Sequence, residues 1–210
     1  QHLFTRMIEE KYGIRDINRE EIILNVMGIN HFTWFDRVSW KNIDLVPLYA
    51  EFAEKYAETG FAVDEAELDP ENYFRNINKV GFDLFRQFHL IPVSGDRHIS
   101  EFLPPWFLKD IDNLEKNWGF VLTPVSYRKK NRERLIRLSA DYRSGKKRLK
   151  IKESGEEGVR QMKALLGLGD FVTNVNLPNV GQMRELPLHA VVETNALLSK
   201  DAVRPVFAGS

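Results

Sequence analysis

The chain has 210 residues, enough to bury a core as one large domain or two small ones. Thirty basic residues balance thirty acidic ones, so no global field favours nucleic acid or an acidic membrane surface, and 43% hydrophobic content is that of a soluble globular protein. The absence of cysteine excludes disulfides and thiolate metal ligands within the chain, and no apolar run reaches the roughly 20 residues that span a bilayer.

The opening QHLFTRMIEEKYG has charges where a signal peptide needs an apolar core, so a cytoplasmic location is expected. It lacks an initiator Met, and both this start and the ending VRPVFAGS are expected to be cuts within a longer chain. The spacing predicts a helix over 3–12, with Leu3, Met7 and Ile8 on one side and Gly13 closing it. The run 22-IILNVM-27 reads as a buried strand. From Phe32 to Trp40 a second strand is expected, with Phe32, Trp34, Val38 and Trp40 sharing one face at a period of two. Residues 44–58 give the clearest helix: Asp44 caps it, Pro47 sits in its first turn, and Leu45, Leu48, Tyr49, Phe52 and Tyr56 follow helical spacing. An acidic loop over 60–72, helices over 76–88, 128–142 and 156–166, and strands over 170–179 and 190–198 complete the series.

Between Arg128 and Lys152 stand twelve Lys or Arg against only Glu133 and Asp141. Leu135, Ile136, Leu138 and Tyr142 leave a basic face on an amphipathic helix, with no aromatic platform interleaved, so a solvated face or an oligomer contact is expected there and nucleic acid is not. Gly167 and Gly169 follow a helix, which marks a C-terminal cap and not a phosphate loop. The chain therefore carries no dinucleotide fingerprint.

Three stretches carry the chemistry-bearing residues. In 28-GINH-31, Gly28 lets the chain turn and His31 presents an imidazole beside Asn30; a turn satisfying local backbone and a ligand-bearing loop are both open readings. In 94-SGDRHISEF-102, Asp96, Arg97, His98 and Glu101 bunch together; if residues 98–102 are extended, His98, Ser100 and Phe102 point one way. In 174-NVNLPNVGQMRELP-187, Asn174, Asn176 and Asn179 surround a strand end and a Pro–Asn turn, followed by Arg184. Alone, these indicate an α+β domain that is sugar-binding or hydrolytic.

The order and wording of GINHFTWF, GDRHISEFLPPWF and NVNLPNVGQMRELPLHAVVETNALL resemble glycoside hydrolase family 4, over nearly the whole chain. That family carries a G-(L/I)-N-H element, a segment ending SEY/EF-x-P, and a later NVxNxGxIxNLPxDAVVE. The resemblance implies an α+β fold like the C-terminal domain of lactate and malate dehydrogenases, with mixed antiparallel sheets and long helices. Residues 1–210 would form the substrate- and metal-binding C-terminal domain, without the Rossmann half, its metal-binding cysteine or the helical tail. The implied activity is an unusual glycosidase chemistry using NAD and a divalent metal, usually manganese, outside the two-carboxylate scheme. NAD takes hydride from C3, a base removes the acidified C2 proton, the aglycone leaves by elimination, water adds and the hydride returns.

By the same resemblance His31 is a metal ligand and Asn30 lies beside the sugar. The base position varies between Asp and Tyr in the family; Asp96 is the candidate here, with Tyr73 next to test. GDRHISEF is similar to the α-galacturonidase members; Arg97, with His98 as a further donor, is expected to hold the uronic carboxylate, and an Arg97 that simply pairs with Glu101 or Asp96 is the competing reading. α-Galactosidase, α-glucosidase or 6-phospho-glycosidase activity, or a non-catalytic sugar-binding or oligomerisation fragment, are the alternatives. A homodimer or homotetramer is expected, with the basic 128–152 region at such an interface.

Overall fold

The computed structural model describes residues 1–69, 71–150 and 156–208. Pro70 of the acidic loop and Ile151–Lys152 of the basic tract lie outside the described residues. Helix α1 (His2–Tyr12) buries Phe4, Met7 and Ile8, and Gly13 closes it in the left-handed region at φ 68°, donating to the Glu9 carbonyl at 2.8 Å. Strands β1 (Ile22–Ile29) and β2 (Phe32–Trp40) form an antiparallel hairpin. Two short strands, β3 (Ile43–Asp44) and β4 (Ile91–Pro92), pair with β2 to complete a four-stranded sheet.

Two strand expectations need correction. β1 is buried on one side only, since Ile22 and Val26 are covered while Ile23 is exposed. In β2 the period of two breaks at Asp36. Val26 faces Phe35 but Asn25 faces Arg37, so Asp36 is the extra residue of a bulge. The bulge turns Val38 to the side of Phe35, where both join the main core, whereas Phe32 and Trp34 pack into a second cluster. The alternation ran over one residue too many to hold.

Helix α2 (Val46–Lys55) starts where expected, with the Asp44 carboxylate accepting from the Val46 amide at 2.9 Å and Pro47 in the first turn. It packs Leu48, Tyr49 and Phe52 against α3 (Lys79–Phe88). The short helices α4 (Asp96–Ser100) and α5 (Leu114–Trp118) cover the second cluster, built on Val80, Leu84, Ile99, Phe107, Leu114 and Phe120. Helix α6 (Val125–Arg143) buries no residue, and Leu135 and Ile136 stay exposed. Helix α7 (Gly158–Leu165) ends as expected: Gly167, at φ 77°, donates to Ala164, and Leu168 donates to Lys163.

A second antiparallel sheet follows from β5 (Phe171–Pro178), β6 (Val191–Ser199) and β7 (Ala202–Pro205). β6 lies against β1, where Asn195 donates to the Leu24 carbonyl at 2.6 Å. All strand pairs among the described residues are antiparallel, and with the helices they make the expected α+β arrangement. No helix among the described residues is long and apolar enough to cross a membrane.

Gly28 is fixed by close approach. At φ 148° its missing Cβ would stand 2.2 Å from the Phe32 carbonyl oxygen and 2.7 Å from the Thr33 Cα. Gly28→Ala is expected to cost about 2–3 kcal/mol, because both backbone strain and a backbone clash must be relieved. Denaturant unfolding of the complete protein checks this, and an unchanged midpoint would show that the hairpin yields there without cost.

Candidate functional site

The β1–β2 turn holds only Asn30 and His31, both with positive φ, 38° and 63°. This is the geometry of a two-residue hairpin whose twist matches its strands, and Asn and His tolerate it better than most residues. The turn reading holds, and the turn leaves both side chains exposed at the sheet's end.

The chain after β4 is tied to that turn. The Val93 amide donates to the Thr33 carbonyl at 2.9 Å, and Ser94 Oγ donates to the His31 carbonyl at 2.8 Å. Two residues later α4 begins. The extended reading of 98–102 is corrected here, because Asp96–Ser100 is helical. Asn76 Oδ1 accepts from the Asp96 amide at 2.9 Å, and Ser100 Oγ donates back to the Asp96 carbonyl at 2.6 Å. Helical spacing buries Asp96, Ile99 and Ser100 and leaves Arg97 and His98 half-exposed. His98 then meets His31, ring centroids 4.6 Å apart, with Phe102 at 5.8 Å from His98.

Arg97 is held from three sides. One guanidinium nitrogen donates to the Tyr73 carbonyl at 3.1 Å and to Thr123 Oγ1, while the guanidinium lies 4.9 Å from the Phe74 ring centre. Its other nitrogens meet no partner among the described residues. Asp96 goes the opposite way. It is 2% exposed, and its two carboxylate oxygens accept from the Lys79 amide at 2.8 Å and the Gly81 amide at 3.0 Å, at the N-terminus of α3. Burial pushes its carboxyl up to about 7, against the pull of the Gly81, Lys79 and Val80 amides and with a smaller push from Glu67. Burial first, and the Asp96 charge second, also raise the neighbouring Tyr49 hydroxyl well above its usual value.

A cleft of about 750 Å³ runs past these elements, lined by Asn76, Ser94, Asp96, Thr173, Asn174 and Asn195 among others. Its carboxamides and hydroxyls suit a ligand rich in hydroxyl groups, and its volume is in the range of small-molecule sites. The structure thus joins His31 to His98, with Arg97 on the same short helix, and sets Asp96 in the cleft wall instead of beside the imidazoles. In the third stretch Asn174 reaches the cleft, but Asn179 is fully buried and serves its own loop. It accepts from the Gly181 and Met183 amides and donates to the Met183 and Leu186 carbonyls. Arg184 stacks on Phe207 at 4.9 Å.

Asn76, Ser94 and Thr123 were not singled out by sequence reasoning. Only Asn76 had a local signal, the N-x-N pair ahead of α3; the other two act through contacts 63 and 26 residues away. His31 and His98 are two imidazole donors of a kind that divalent transition metals accept. Among the described residues no group of three or more His, Cys, Asp or Glu could hold a metal ion, so these two imidazoles do not by themselves make a metal site. No glycine-rich strand-to-helix turn of the kind that cradles a dinucleotide is present among the described residues.

Residues 26–210 match the family model described as the family 4 glycosyl hydrolase C-terminal domain. An α-galacturonidase of Thermoanaerobacter italicus is 51% identical over 211 residues, covering 100% of this chain and 46% of that protein. A crystal structure of a Bacillus subtilis protein described as a glucosidase superposes with a TM-score of 0.90 at 43% identity, covering 99% of this chain and 46% of that one. A 6-phospho-α-glucosidase from gut microorganisms, in complex with NAD and Mn2+, shares the fold at a TM-score of 0.63 and 19% identity, over 97% of this chain and 44% of that one. The chain spans about half the length of the curated relatives it matches. With the three sequence elements, the two antiparallel sheets and this match in agreement, the chain belongs to the family 4 glycosyl hydrolases, within their C-terminal domain.

Proposed function

We propose that the protein containing this chain is an α-galacturonidase that uses NAD and a divalent metal, manganese first among them, and that this chain supplies its sugar-binding half. The likeness to the Thermoanaerobacter α-galacturonidase across the whole chain carries the reading. The contact of His31 with His98, ring centroids 4.6 Å apart, is compatible with it. When bound there, a divalent metal polarises sugar oxygens. His31 is proposed as its ligand from this chain, with the remaining donors outside it, and Asn30 as a hydrogen-bonding partner of the sugar.

Arg97 is proposed to hold the uronic carboxylate. Tyr73, Thr123 and Phe74 already fix its guanidinium, and its unpartnered edge remains for two parallel charge-assisted bonds, with His98 as a further donor. A neutral hexose would leave that edge unmet, at a cost of about 1–3 kcal/mol. The complete protein is therefore expected to turn over α-galacturonides in preference to α-galactosides, with Arg97→Met narrowing the gap mainly through KM. Equal or better turnover of neutral or 6-phosphorylated glycosides by the unmutated protein would end this assignment.

The proton at C2 is assigned to Asp96. Asp96 lines the cleft, and a carboxylate offers about four lone-pair positions, of which the Lys79 and Gly81 amides occupy two. A value of about 7 also suits a base working near neutrality. The chain by itself is expected to bind no NAD, since it lacks a pyrophosphate cradle; calorimetric titration giving micromolar affinity would overturn that. The homodimer or homotetramer is checked by light scattering of the complete protein.

A further inference from the structure

Helix α6 carries a groove of about 520 Å³ that the site described above does not use. Its floor is aromatic: Phe74, 54% exposed, and Tyr127 lie with ring centres 6.1 Å apart. Its rim is cationic, with Arg128, Arg132 and Arg143 recurring at helical spacing on one face of α6. Three cations of this helix and the turn after it are neutralised within the chain: Arg137 pairs with Glu133, and Lys146 and Lys147 pair with Asp141. The three groove arginines meet no carboxylate among the described residues. Lys129, Lys130 and Arg134 on this helix also meet no carboxylate among the described residues, and the groove is set apart from them by its two aromatic rings.

The groove is continuous with the candidate site. Phe74 forms its floor on one side and stacks on the Arg97 guanidinium on the other, and Tyr127 packs against Tyr73 at 5.0 Å, whose carbonyl Arg97 holds. From Arg128 to Arg143 the helix runs about 22 Å, the length of several sugar rings. Sugar rings present apolar C–H faces that pack on aromatic rings, and guanidinium forks pair with carboxylates bidentately.

We propose that this α6 groove binds the leaving side of an acidic oligosaccharide, a chain of uronic acids whose terminal residue occupies the His31–His98 site. The proposal rests on the α-galacturonidase reading and adds the substrate's length to it. It also gives the basic helix a ligand of definite chemistry, where solvent or a second copy was expected.

The test uses the complete protein and the exposed variant Arg128→Gln/Arg132→Gln, which disturbs no packed residue. The readout is the ratio of kcat/KM for trigalacturonate to that for an aryl α-galacturonide, which has no uronic acid on its leaving side. The ratio is expected to fall about tenfold in the variant, the scale of losing one or two charge-assisted pairs. An unchanged ratio would overturn the proposal. Calorimetric binding of trigalacturonate, with neutral galactotriose and a single-stranded oligonucleotide of equal charge as controls, separates this result from the catalytic assignment. If no galacturonide is cleaved, the α-galacturonidase reading falls; the groove then stands if the variant weakens trigalacturonate binding at least fivefold and falls if it does not. Oligonucleotide binding tighter than trigalacturonate binding, or a change of oligomeric state in the variant, would assign the face to another occupant and overturn the proposal.

Discussion

Replacing His31 is expected to remove manganese-dependent turnover from the complete protein while leaving NAD binding intact. The imidazole stands at the exposed tip of the β1–β2 hairpin, 4.6 Å from the His98 ring, and this chain contains no dinucleotide cradle among its described residues. Metal polarisation is worth several kcal/mol of transition-state stabilisation, so a loss of about a thousandfold is expected. The choice of variant matters because His31 occupies the left-handed region at φ 63°. Alanine adds backbone strain to the loss of the ligand, whereas Asn tolerates that region. His31→Asn should therefore match His31→Ala in activity but exceed it in stability. Manganese titration followed by electron paramagnetic resonance should show weakened binding in both, with NAD affinity unchanged. Retained turnover in His31→Asn would remove His31 from the metal site.

The turn shows why this site was partly legible in the sequence. Gly28, Asn30 and His31 are local: a glycine before two residues that tolerate positive φ, set between strand-like runs, marks a hairpin whatever its partners are. The helices α1 and α2 were legible for the same reason, since Gly13, Asp44 and Pro47 act on residues within a turn of themselves. The conformation of 96–100 was not. Five residues are too few for a hydrophobic period, and the helix is specified by Asn76, twenty residues earlier, accepting from the Asp96 amide. The bulge at Asp36 escaped likewise, because its register depends on β1 and on the Asn25 side chain, which donates both to Asp36 and to the Ala208 carbonyl. For α6 the periodicity was present but nothing among the described residues covers it. Apolar spacing reports a face and never names what the face meets.

Asp96→Asn is expected to affect chemistry and stability together, and the two are separable. As a base, Asp96 accounts for a proton transfer worth roughly 10²–10⁴ in rate, so turnover and solvent-deuterium exchange at C2 of the sugar should both fall by that order. As an anchor, its carboxylate joins α4 to the first turn of α3, and an Asn amide cannot accept from the Lys79 and Gly81 amides with both of its terminal atoms. The pH dependence carries a definite sign. Burial holds the folded pKa at about 7, above the ordinary carboxylate value of 3.8, so the native state prefers the protonated form. That preference stabilises fully below the ordinary value and is lost as pH rises through about 7. The parent's stability should therefore decline between these limits relative to Asp96→Asn, which has no carboxyl to ionise there. Thermal melts across this range read the linkage, and mass-spectrometric deuterium incorporation reads the base. If the melts follow this course while exchange persists at the parent's rate, Asp96 only holds α4 to α3, and the proton belongs to another group. Tyr73, fixed beside the site by Arg97 and Tyr127, is then the next residue to replace.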